Sequence, residues 1–240
     1  MKRKGRPLLP IGKFQTGRIV RRLNRFVVLV RFDGDLKRAH INNTGRLNEF
    51  MTAGREAFLL PGKPGGKTDF RLFAVRDGHA GALFDTQFQM RAVEKALDEG
   101  LFPWAEDCRM VRRNPRLGES VMDNLLDCSG NPVYLEVKSA VLRAGRFATY
   151  PDCPTLRGQR HILELTEHSA SGGRAAILFV CALPEADGFK PFHPGDPEIA
   201  PLLRRAQKEG VIIKAVGMQF NPSAGFVEIY HPDLPVFLDE

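Results

Sequence analysis

The stretch Val133-Tyr-Leu-Glu-Val-Lys-Ser-Ala-Val-Leu142 decides which fold is expected for this chain. Its Val, Leu and Tyr content predicts a β-strand, and the turn-forming Ser129-Gly-Asn-Pro132 precedes it. Side chains alternate across a strand, so Glu136 and Lys138 share one face and Val137 points to the other. A carboxylate and an ammonium group are costly to bury in an apolar strand unless they pair or bind a ligand. The pair therefore marks the strand as a candidate functional site.

A second carboxylate, Asp123, lies thirteen positions before Glu136, in an apolar run over residues 121–126 that predicts another strand. If the two strands form a hairpin across residues 127–132, Asp123 and Glu136 meet beside Lys138. Two carboxylates suit Mg²⁺, which takes one or two of them and keeps several waters. Such a metal polarises a phosphate, and Lys138 can orient the attacking water or offset charge on the phosphorus. The set predicts phosphodiester hydrolysis; the alternative is a surface ion pair, because Glu-x-Lys is a common tripeptide.

The segment Tyr150-Pro-Asp-Cys-Pro-Thr-Leu-Arg-Gly-Gln-Arg-His-Ile-Leu-Glu-Leu165 predicts a loop that leads into an amphipathic helix over residues 155–169. Thr155 is the expected N-cap of this helix. Arg157 and His161 are four residues apart, so they share one helical face near the positive end of the helix. We expect this face to line the site and contact the phosphate next to the metal; the alternative is an exposed polar face.

These segments resemble the sugar fermentation stimulation protein A (SfsA) family, in which an E-V-K-S-V-T-L strand precedes a Phe-Pro-Asp…Thr-x-Arg-Gly-x-Lys-His segment. Asn42-Asn-Thr-Gly45 resembles the P-N-T-G of that family, and Arg204-Arg-Ala-Gln-Lys-Glu-Gly-Val211 resembles its late helix-to-strand turn. The resemblance covers nearly the whole chain. It implies an α/β protein, with a small N-terminal β-barrel of the OB-fold type followed by a mixed α/β nuclease-like domain of the PD-(D/E)XK type. It also implies an association with nucleic acid.

The segment Arg112-Arg-Asn-Pro-Arg-Leu-Gly-Glu-Ser-Val-Met-Asp123 departs from the family pattern E-V-K-x-G-x-S-R-x-D. Neither the Glu of that pattern nor the Arg just before its Asp is present. Glu94, in a helix predicted over residues 87–99, and Glu119 are two candidate replacements. We therefore expect one metal ligand fewer than in the family and a weaker affinity for the ion.

The predicted metal site holds one Mg²⁺ or Mn²⁺ on Asp123, Glu136 and the backbone carbonyl of Val137, with several waters. Asp123, Glu136 and Lys138 are the predicted catalytic residues. His161 and Arg157 are predicted to bind the substrate.

The charge distribution predicts an anionic partner for the N-terminal quarter of the chain. The chain has 240 residues, a net charge of +7 and 43% hydrophobic residues. Residues 1–60 carry fourteen Lys and Arg against four acids, whereas residues 181–240 carry five against nine. This local basicity favours nucleic acid over a membrane surface. No apolar run is long enough to span a bilayer, so no membrane association is expected.

The first sixty residues predict a barrel. Residues 16–32 alternate as a strand and then turn at Asp33-Gly34, a strong hairpin signal, before a strand over residues 37–41 and a turn over residues 42–46. Short strands with Gly-rich turns suit an OB-fold. The predicted domains are residues 1–80 for the barrel and residues 81–240 for the nuclease-like domain, with the boundary between Gly78 and Asp85. The second domain is predicted to have strands over residues 175–183, 211–215 and 225–230, a helix over residues 198–209 and a loop over residues 188–196.

The barrel supplies further candidate substrate-binding residues. Arg22 and Arg25 are expected to track phosphates while neighbouring aromatic rings stack on bases, which favours single-stranded DNA or RNA. The resemblance adds Asn43 and Thr44. The alternative is that the aromatic rings fill the barrel and the arginines are solvated.

The four cysteines, at positions 108, 128, 153 and 181, lie far apart with no Cys-x-x-Cys pair. This spacing opposes a zinc site and predicts no disulfide framework, so a reducing cytoplasm is the expected location. The basic start of the chain is followed by too short and too interrupted an apolar stretch for a signal peptide. An oligomer is compatible with the sequence.

Two functions follow from these observations. The first is a metal-dependent nuclease that hydrolyses phosphodiester bonds in DNA or RNA, with the basic barrel holding the strand. The second is a non-catalytic DNA-binding protein whose nuclease-like domain binds no metal; for this function the family resemblance implies a regulatory role at sugar metabolism genes.

Overall fold

The computed structural model describes residues 5–239. The beginning of the chain, Met1-Lys-Arg-Lys4, on which the signal-peptide expectation bears, lies outside the described residues. The first seven strands are β1 (Arg6–Pro10), β2 (Gln15–Asn24), β3 (Val27–Phe32), β4 (Asp35–His40), β5 (Glu56–Pro61), β6 (Phe70–Asp77) and β7 (Ala80–Leu83). They are followed by α1 (Thr86–Asp98), β8 (Cys108–Arg113), β9 (Arg116–Leu117), β10 (Ser120–Val121), β11 (Asn124–Cys128), β12 (Asn131–Ala140), β13 (Leu142–Ala144) and β14 (Phe147–Tyr150). The last elements are α2 (Leu156–Ala170), β15 (Ala175–Cys181), β16 (Phe189–Pro191), α3 (Ile199–Lys208), β17 (Ile212–Asn221) and β18 (Phe226–Leu234).

Strands β2 to β6 form a closed five-stranded barrel, because β4 pairs with β6 as well as with β3. Alternation along the strands buries Ile19, Val28 and Val30 inside it. The predicted hairpin at Asp33-Gly34 is confirmed, and both residues have a positive φ, 48° and 86°. The predicted fold class, a small barrel followed by a mixed α/β domain, is confirmed.

The single strand predicted over residues 16–32 is wrong, because the chain reverses in its middle. β2 ends at Asn24 and β3 begins at Val27, and the two strands pair antiparallel. The Asn24 side chain accepts a hydrogen bond from the backbone N–H of Phe26 (2.9 Å). An Asn side chain that bonds the backbone two residues later favours a turn, and this local bond interrupts the alternating pattern.

The barrel and the second domain share one sheet. β7 pairs with β6 of the barrel and with β17 of the second domain. β1 pairs with β18, so residues 6–10 lie in the sheet of the second domain although they precede the barrel. The domain boundary at residue 80 stays a prediction.

The core between the two halves is built from phenylalanine rings. The rings of Phe58 and Phe73 come from the barrel strands β5 and β6, and the ring of Phe220 comes from β17. Their centroids lie 5.0 Å (Phe58 and Phe220) and 4.9 Å (Phe73 and Phe220) apart in edge-on geometry. Such pairs add about 0.5–1.5 kcal/mol each beyond the area that they bury. This packing fixes the barrel against the sheet.

The second domain is a mixed sheet in the order β17-β15-β12-β11-β8, and β12, β15 and β17 are parallel. The predicted strand over residues 175–183 is confirmed as β15, and all of its residues are buried, as in a strand covered on both faces. The two faces of β12 contact different helices. Asn124, opposite Leu135 in the register, contacts Met90 of α1, whereas Glu136 contacts His161 of α2.

The strand predicted over residues 121–126 is interrupted at Asp123, which lies between β10 and β11. The expected hairpin is confirmed, since β11 and β12 pair antiparallel around Ser129-Gly130. Both turn residues have a positive φ, as a two-residue hairpin turn of this type requires. The hairpin brings the chain at Asp123 back beside β12.

The cysteines form a disulfide that was not expected. Cys108 on β8 and Cys128 on β11 are register partners and are bonded, and they lie twenty positions apart in sequence. Their pairing depends on a strand, β8, that the sequence analysis did not identify. Among the described residues, Cys153 and Cys181 are free. None of the helices within residues 5–239 is long and apolar enough to cross a bilayer.

Candidate active site

Glu136, Lys138 and His161 form a buried polar cluster between β12 and α2. Glu136 Oε1 accepts a hydrogen bond from Lys138 Nζ (2.6 Å) and lies 2.6 Å from His161 Nδ1. Arg157 Nε donates to His161 Nε2 (3.3 Å), so the proton of the imidazole is on Nδ1 and is donated to Glu136. The structure therefore connects four of the predicted residues in one chain of hydrogen bonds.

The local folding of two elements produces this cluster. Alternation along β12 places Glu136 and Lys138 on one face, as expected. α2 begins after Thr155, whose side chain accepts a hydrogen bond from the backbone N–H of Gly158 (3.0 Å). The N-cap fixes the start of the helix, so that Arg157 and His161, one turn apart, both reach the β12 face.

Asp123 reaches the same strand from the side. Its Oδ2 atom accepts a hydrogen bond from the backbone N–H of Val137 (2.8 Å), between the two charged residues of β12. Asp123 can make this contact because it lies in the break between β10 and β11, just before β11 begins to pair with β12. The backbone N–H of Val137 is thus the group that meets Asp123, and the metal-binding role of its carbonyl stays a prediction.

One oxygen of the cluster lacks a partner. Glu136 Oε2 is buried and makes no hydrogen bond to any of residues 5–239. Buried polar atoms are nearly always hydrogen-bonded, and an exception calls for a physical explanation. A buried acceptor oxygen that no donor satisfies is a candidate ligand for a cation.

The pKa values of the two carboxyl groups move apart. Burial, followed by the negative charge of Glu136, raises the pKa of Asp123 from 3.8 to about 6. Burial also acts on Glu136, but the hydrogen bond from His161 and the charge of Lys138 outweigh it and lower the pKa of Glu136. Burial opposes the charge of Lys138, yet the charge of Glu136 raises its pKa. Glu136 and Lys138 are therefore held ionised as a pair, while Asp123 is the carboxyl group that titrates near neutral pH.

The two candidate replacements for the missing glutamate lie elsewhere. Glu94 is buried on α1, and both of its oxygens accept hydrogen bonds from Arg113 (2.7 Å each). Glu119 is exposed between β9 and β10. No three His, Cys, Asp or Glu side chains within residues 5–239 are arranged to hold a metal ion. Within residues 5–239, neither glutamate therefore joins Asp123 and Glu136 in such a group.

Arg22 is committed to the backbone of the barrel. Its guanidinium donates to the carbonyl oxygens of Asn24, Arg25, Asn43, Gly45 and Arg46. Burial lowers the pKa of this guanidinium. Arg22 therefore shapes the loop after β4 and offers few donors to a substrate.

The other barrel residues border a cleft next to the cluster. Arg25, Asn43 and Thr44 line a cavity of about 510 Å³, and Arg157 of α2 lines the same cavity. Asn43 is buried, whereas Arg25 and Thr44 are exposed. The cleft also has lining residues that the sequence analysis did not single out, including Ser139, Leu142, Tyr150, Asp152 and Leu156. The only signal for them in the sequence was that they lie in or next to the two segments, residues 133–142 and 150–165, that were predicted to form the site.

Known proteins resemble this chain over both of its halves. The model "SfsA N-terminal OB domain" matches residues 20–83, and the model "Sugar fermentation stimulation protein RE domain" matches residues 87–224. A sugar fermentation stimulation protein homolog of Pyrococcus furiosus is 48% identical over 217 residues, which cover 90% of this chain and 93% of that protein. A homolog of Archaeoglobus fulgidus is 42% identical over 221 residues, which cover 92% of this chain and 94% of that protein.

A solved structure agrees with these sequence matches. It is described as the structure of Pyrococcus furiosus SfsA in complex with Ca²⁺, and it is 44% identical in sequence. The superposition has a TM-score of 0.91 and covers 97% of this chain and 99% of the other. The chain belongs to the sugar fermentation stimulation protein (SfsA) family.

Proposed function

We propose that the protein is a metal-dependent phosphodiesterase that cleaves DNA or RNA at the cluster of Asp123, Glu136 and Lys138. The observation that carries the proposal is Glu136 Oε2, a buried carboxylate oxygen without a hydrogen-bond partner among the described residues. The other oxygen of the same carboxylate is saturated by Lys138 and His161. The hydrogen bonds from Lys138 and His161 do not account for the unpaired oxygen, which a bound cation would satisfy.

The residues present fit Mg²⁺ or Mn²⁺. Asp123 and Glu136 supply two hard oxygen ligands, the number that Mg²⁺ commonly takes from protein while it keeps several waters. The relative from Pyrococcus furiosus is described with Ca²⁺, which also prefers oxygen ligands. A bound ion of this kind would polarise the scissile phosphate.

The side chains of this chain have separable roles in that reaction. Lys138, held ionised by Glu136, places a positive charge where negative charge develops on the phosphate. His161 orients Glu136 by its hydrogen bond to Oε1, which leaves Oε2 directed away from the pair. Arg157 fixes the ring of His161 and, being exposed, can also reach a phosphate oxygen of the substrate.

The basic barrel supports nucleic acid as the substrate. The family model for residues 20–83 is an OB domain, a fold that binds oligonucleotides and oligosaccharides. Arg25 lies on the barrel side of the cleft and Arg157 on the other side, so cations face the cleft from both halves. A single strand is favoured because exposed Phe26, next to Arg25, can stack on a base.

A non-catalytic nucleic-acid-binding protein, with a regulatory role, is the second candidate. The observation that favours it is that neither Glu94, which is paired with Arg113, nor exposed Glu119 replaces the glutamate of the family pattern at the cluster. The same basic surfaces would serve this function without cleavage.

Cleavage assays separate the two candidates. Wild type and Asp123→Ala would be incubated with single- and double-stranded DNA and RNA in Mg²⁺, Mn²⁺ or chelator. The nuclease assignment predicts cleavage by wild type with metal, none with chelator, and none by Asp123→Ala. Glu106→Ala, which removes an exposed acid outside the cluster, should cleave like wild type. If no strand is cleaved under any condition but strands are bound, the binding protein is the correct assignment.

A further inference from the structure

The cleft between the barrel and the second domain is a preformed cavity whose occupant the cleavage chemistry does not define. Its volume of about 510 Å³ lies within the range of about 300–1,000 Å³ that small-molecule sites have. One wall is the loop of residues 43–47 after β4, and the other is the segment of residues 149–157 that enters α2. The cleft adjoins the cluster, because Arg157 belongs to both.

Side-chain and backbone contacts hold the two walls in place. The backbone N–H of Leu47 donates to Asp152 Oδ2 (3.0 Å), and that of Gly45 donates to Asn43 Oδ1 (2.9 Å). A Cβ atom at Gly45 would lie 2.7 Å from Asp152 Oδ2, so a larger residue there would displace the Asp152 side chain from its bond to Leu47 N–H. The guanidinium of Arg22 donates hydrogen bonds to the backbone carbonyls of Asn43 and Gly45 in the same loop. These contacts position both walls of the cleft in the absence of a ligand.

The cleft contains a hydrogen-bond donor that is poorly satisfied. The side chain of Asn43 is buried, with 9% of its surface exposed. Its Nδ2 atom makes only two long contacts, to Phe84 O (3.4 Å) and to Ser139 Oγ (3.5 Å). Contacts of this length are at the limit of hydrogen bonding. An acceptor on a ligand would bind this amide better than its present partners do.

An apolar side chain stands at the mouth of the cleft. Leu156, the first residue of α2, has 80% of its surface exposed, whereas the next most exposed large hydrophobic residue in the described chain, Leu36, has 54%. A single exposed leucine is unremarkable by itself. This one lies between Thr155 and Arg157, beside the cluster and on the rim of the cavity. Some DNA-binding proteins insert apolar side chains, leucine among them, as wedges between base steps.

We propose that the cleft receives a nucleotide turned out of the base stack next to the scissile phosphate, and that Leu156 occupies the gap left in the stack. The proposal rests on the proposed action on nucleic acid. Half-buried Leu142 and buried Val141 contact the base, and the amide of Asn43 donates to an acceptor on its edge. Arg25 and Arg157 bind the phosphates on its two sides.

Fluorescence of 2-aminopurine tests the proposal, because its emission rises when the base leaves the stack. The full-length chain, in chelator to prevent cleavage, would be titrated into short single strands that each carry 2-aminopurine at a different position. Strand binding would be followed in parallel by the anisotropy of an end label. Saturation should raise the emission at a defined position, and Leu156→Ala should abolish most of that rise. Leu36→Ala, which removes an exposed leucine that does not line the cleft, should change neither signal.

A second variant reports on the cavity itself. Leu142→Trp fills the cleft and should weaken strand binding about tenfold, while the variant keeps the thermal unfolding temperature of wild type. The inference is overturned if strands bind but no position changes its emission, or if both variants behave like wild type. Cleavage with metal would still stand in that case. If no strand binds at all, the proposed function and this inference fall together.

Discussion

The two oxygens of the Glu136 carboxylate have different environments, and this difference is central to the site. Oε1 lies 2.6 Å from both Lys138 Nζ and His161 Nδ1, whereas Oε2 has no partner among residues 5–239. A buried ion pair is weak evidence for stabilisation, because desolvation offsets much of its attraction. Perturbed carboxyl groups next to a cation occur preferentially at functional sites. A divalent cation at Oε2 and Asp123 would satisfy both the orphaned oxygen and the second carboxylate.

At the residue scale, Asp123 predicts a specific pH dependence of stability without metal. Its pKa is raised from 3.8 to about 6 in the folded protein, so the ionised form weakens the fold above pH 6. This cost decreases as the pH falls from about 6 to about 4, because the folded state then binds the proton more readily than the unfolded state. Asp123→Asn carries no charge and should stabilise the metal-free protein by about 1–3 kcal/mol at pH 7.5.

Urea unfolding in chelator at pH 7.5 and pH 4.5 measures this effect. The gain of Asp123→Asn over wild type should shrink at the lower pH, where wild type is protonated as well. The amide oxygen of Asn can still accept the hydrogen bond from Val137 N–H, so the geometry is retained. An equal difference at both pH values would show that Asp123 does not titrate as described.

At the scale of elements, β12 and α2 were the parts of the site that the sequence predicted best. The Glu-x-Lys alternation and the cap at Thr155 are local signals, and a local signal is enough to orient side chains on one strand or one helix. The approach of Asp123 required the hairpin around Ser129-Gly130, which the turn sequence also indicated. The cleft was not predicted, because its walls come from residues about one hundred positions apart in the chain.

Other elements were missed for the same reason. β1 pairs with β18 at the far end of the chain, and no pattern within residues 6–10 identifies that partner. The Cys108–Cys128 disulfide became visible only through the register of β8 with β11. The reversal after Asn24 had a local signal, the Asn side chain, but the strong alternation on both sides concealed it.

The loop after β4 predicts different effects for two neighbouring arginines. Arg22→Ala removes hydrogen bonds to backbone carbonyls of Asn43, Gly45 and Arg46, and should lower stability by about 1.5–3 kcal/mol as well as weaken strand binding. Arg25→Ala, an exposed residue, should leave stability unchanged. It should weaken binding uniformly across sequences and reduce the slope of log affinity against log salt by about 1.

Thermal unfolding and salt titrations of strand binding measure the two effects together. Lys13→Ala, which removes an exposed cation outside the cleft lining, serves as a matched charge control. If Arg22→Ala unfolded like wild type, the clamp on the loop would not exist.

The Cys108–Cys128 disulfide, which links β8 to β11, is expected to raise the free energy of unfolding. β8 lies at the end of the sheet order and pairs with β11. Closing a loop of twenty residues stabilises by about 3 kcal/mol in the chain-entropy model. Reductant, or the double substitution of Cys108 and Cys128 by serine, should lower the free energy of unfolding by about 3 kcal/mol and with it the unfolding temperature. Reductant should not lower the unfolding temperature of the double variant further. If reductant destabilised the double variant as much as wild type, the effect would not come from this disulfide.

At the scale of the whole molecule, the barrel and the second domain are connected by more than the linker. β7 pairs with strands of both, and Arg143 of β13 binds Asp77 of β6 (2.7 Å) and donates its backbone N–H to Glu49 (2.7 Å). A fragment that begins at Asp85 would lose β1 and β7 from the sheet. Point substitutions in the full chain are therefore better tests of the barrel than deletion is.

The position of a bound cation tests the account most directly. Crystals of the full chain soaked in Mn²⁺ would be measured near the manganese absorption edge, for wild type and for Asp123→Asn. The account predicts one anomalous peak in wild type, within bonding distance of Asp123 and Glu136 Oε2, that is weakened or lost in the variant. A map with no peak at these atoms, or with the same peak in both proteins, would contradict the metal site and the nuclease assignment that depends on it.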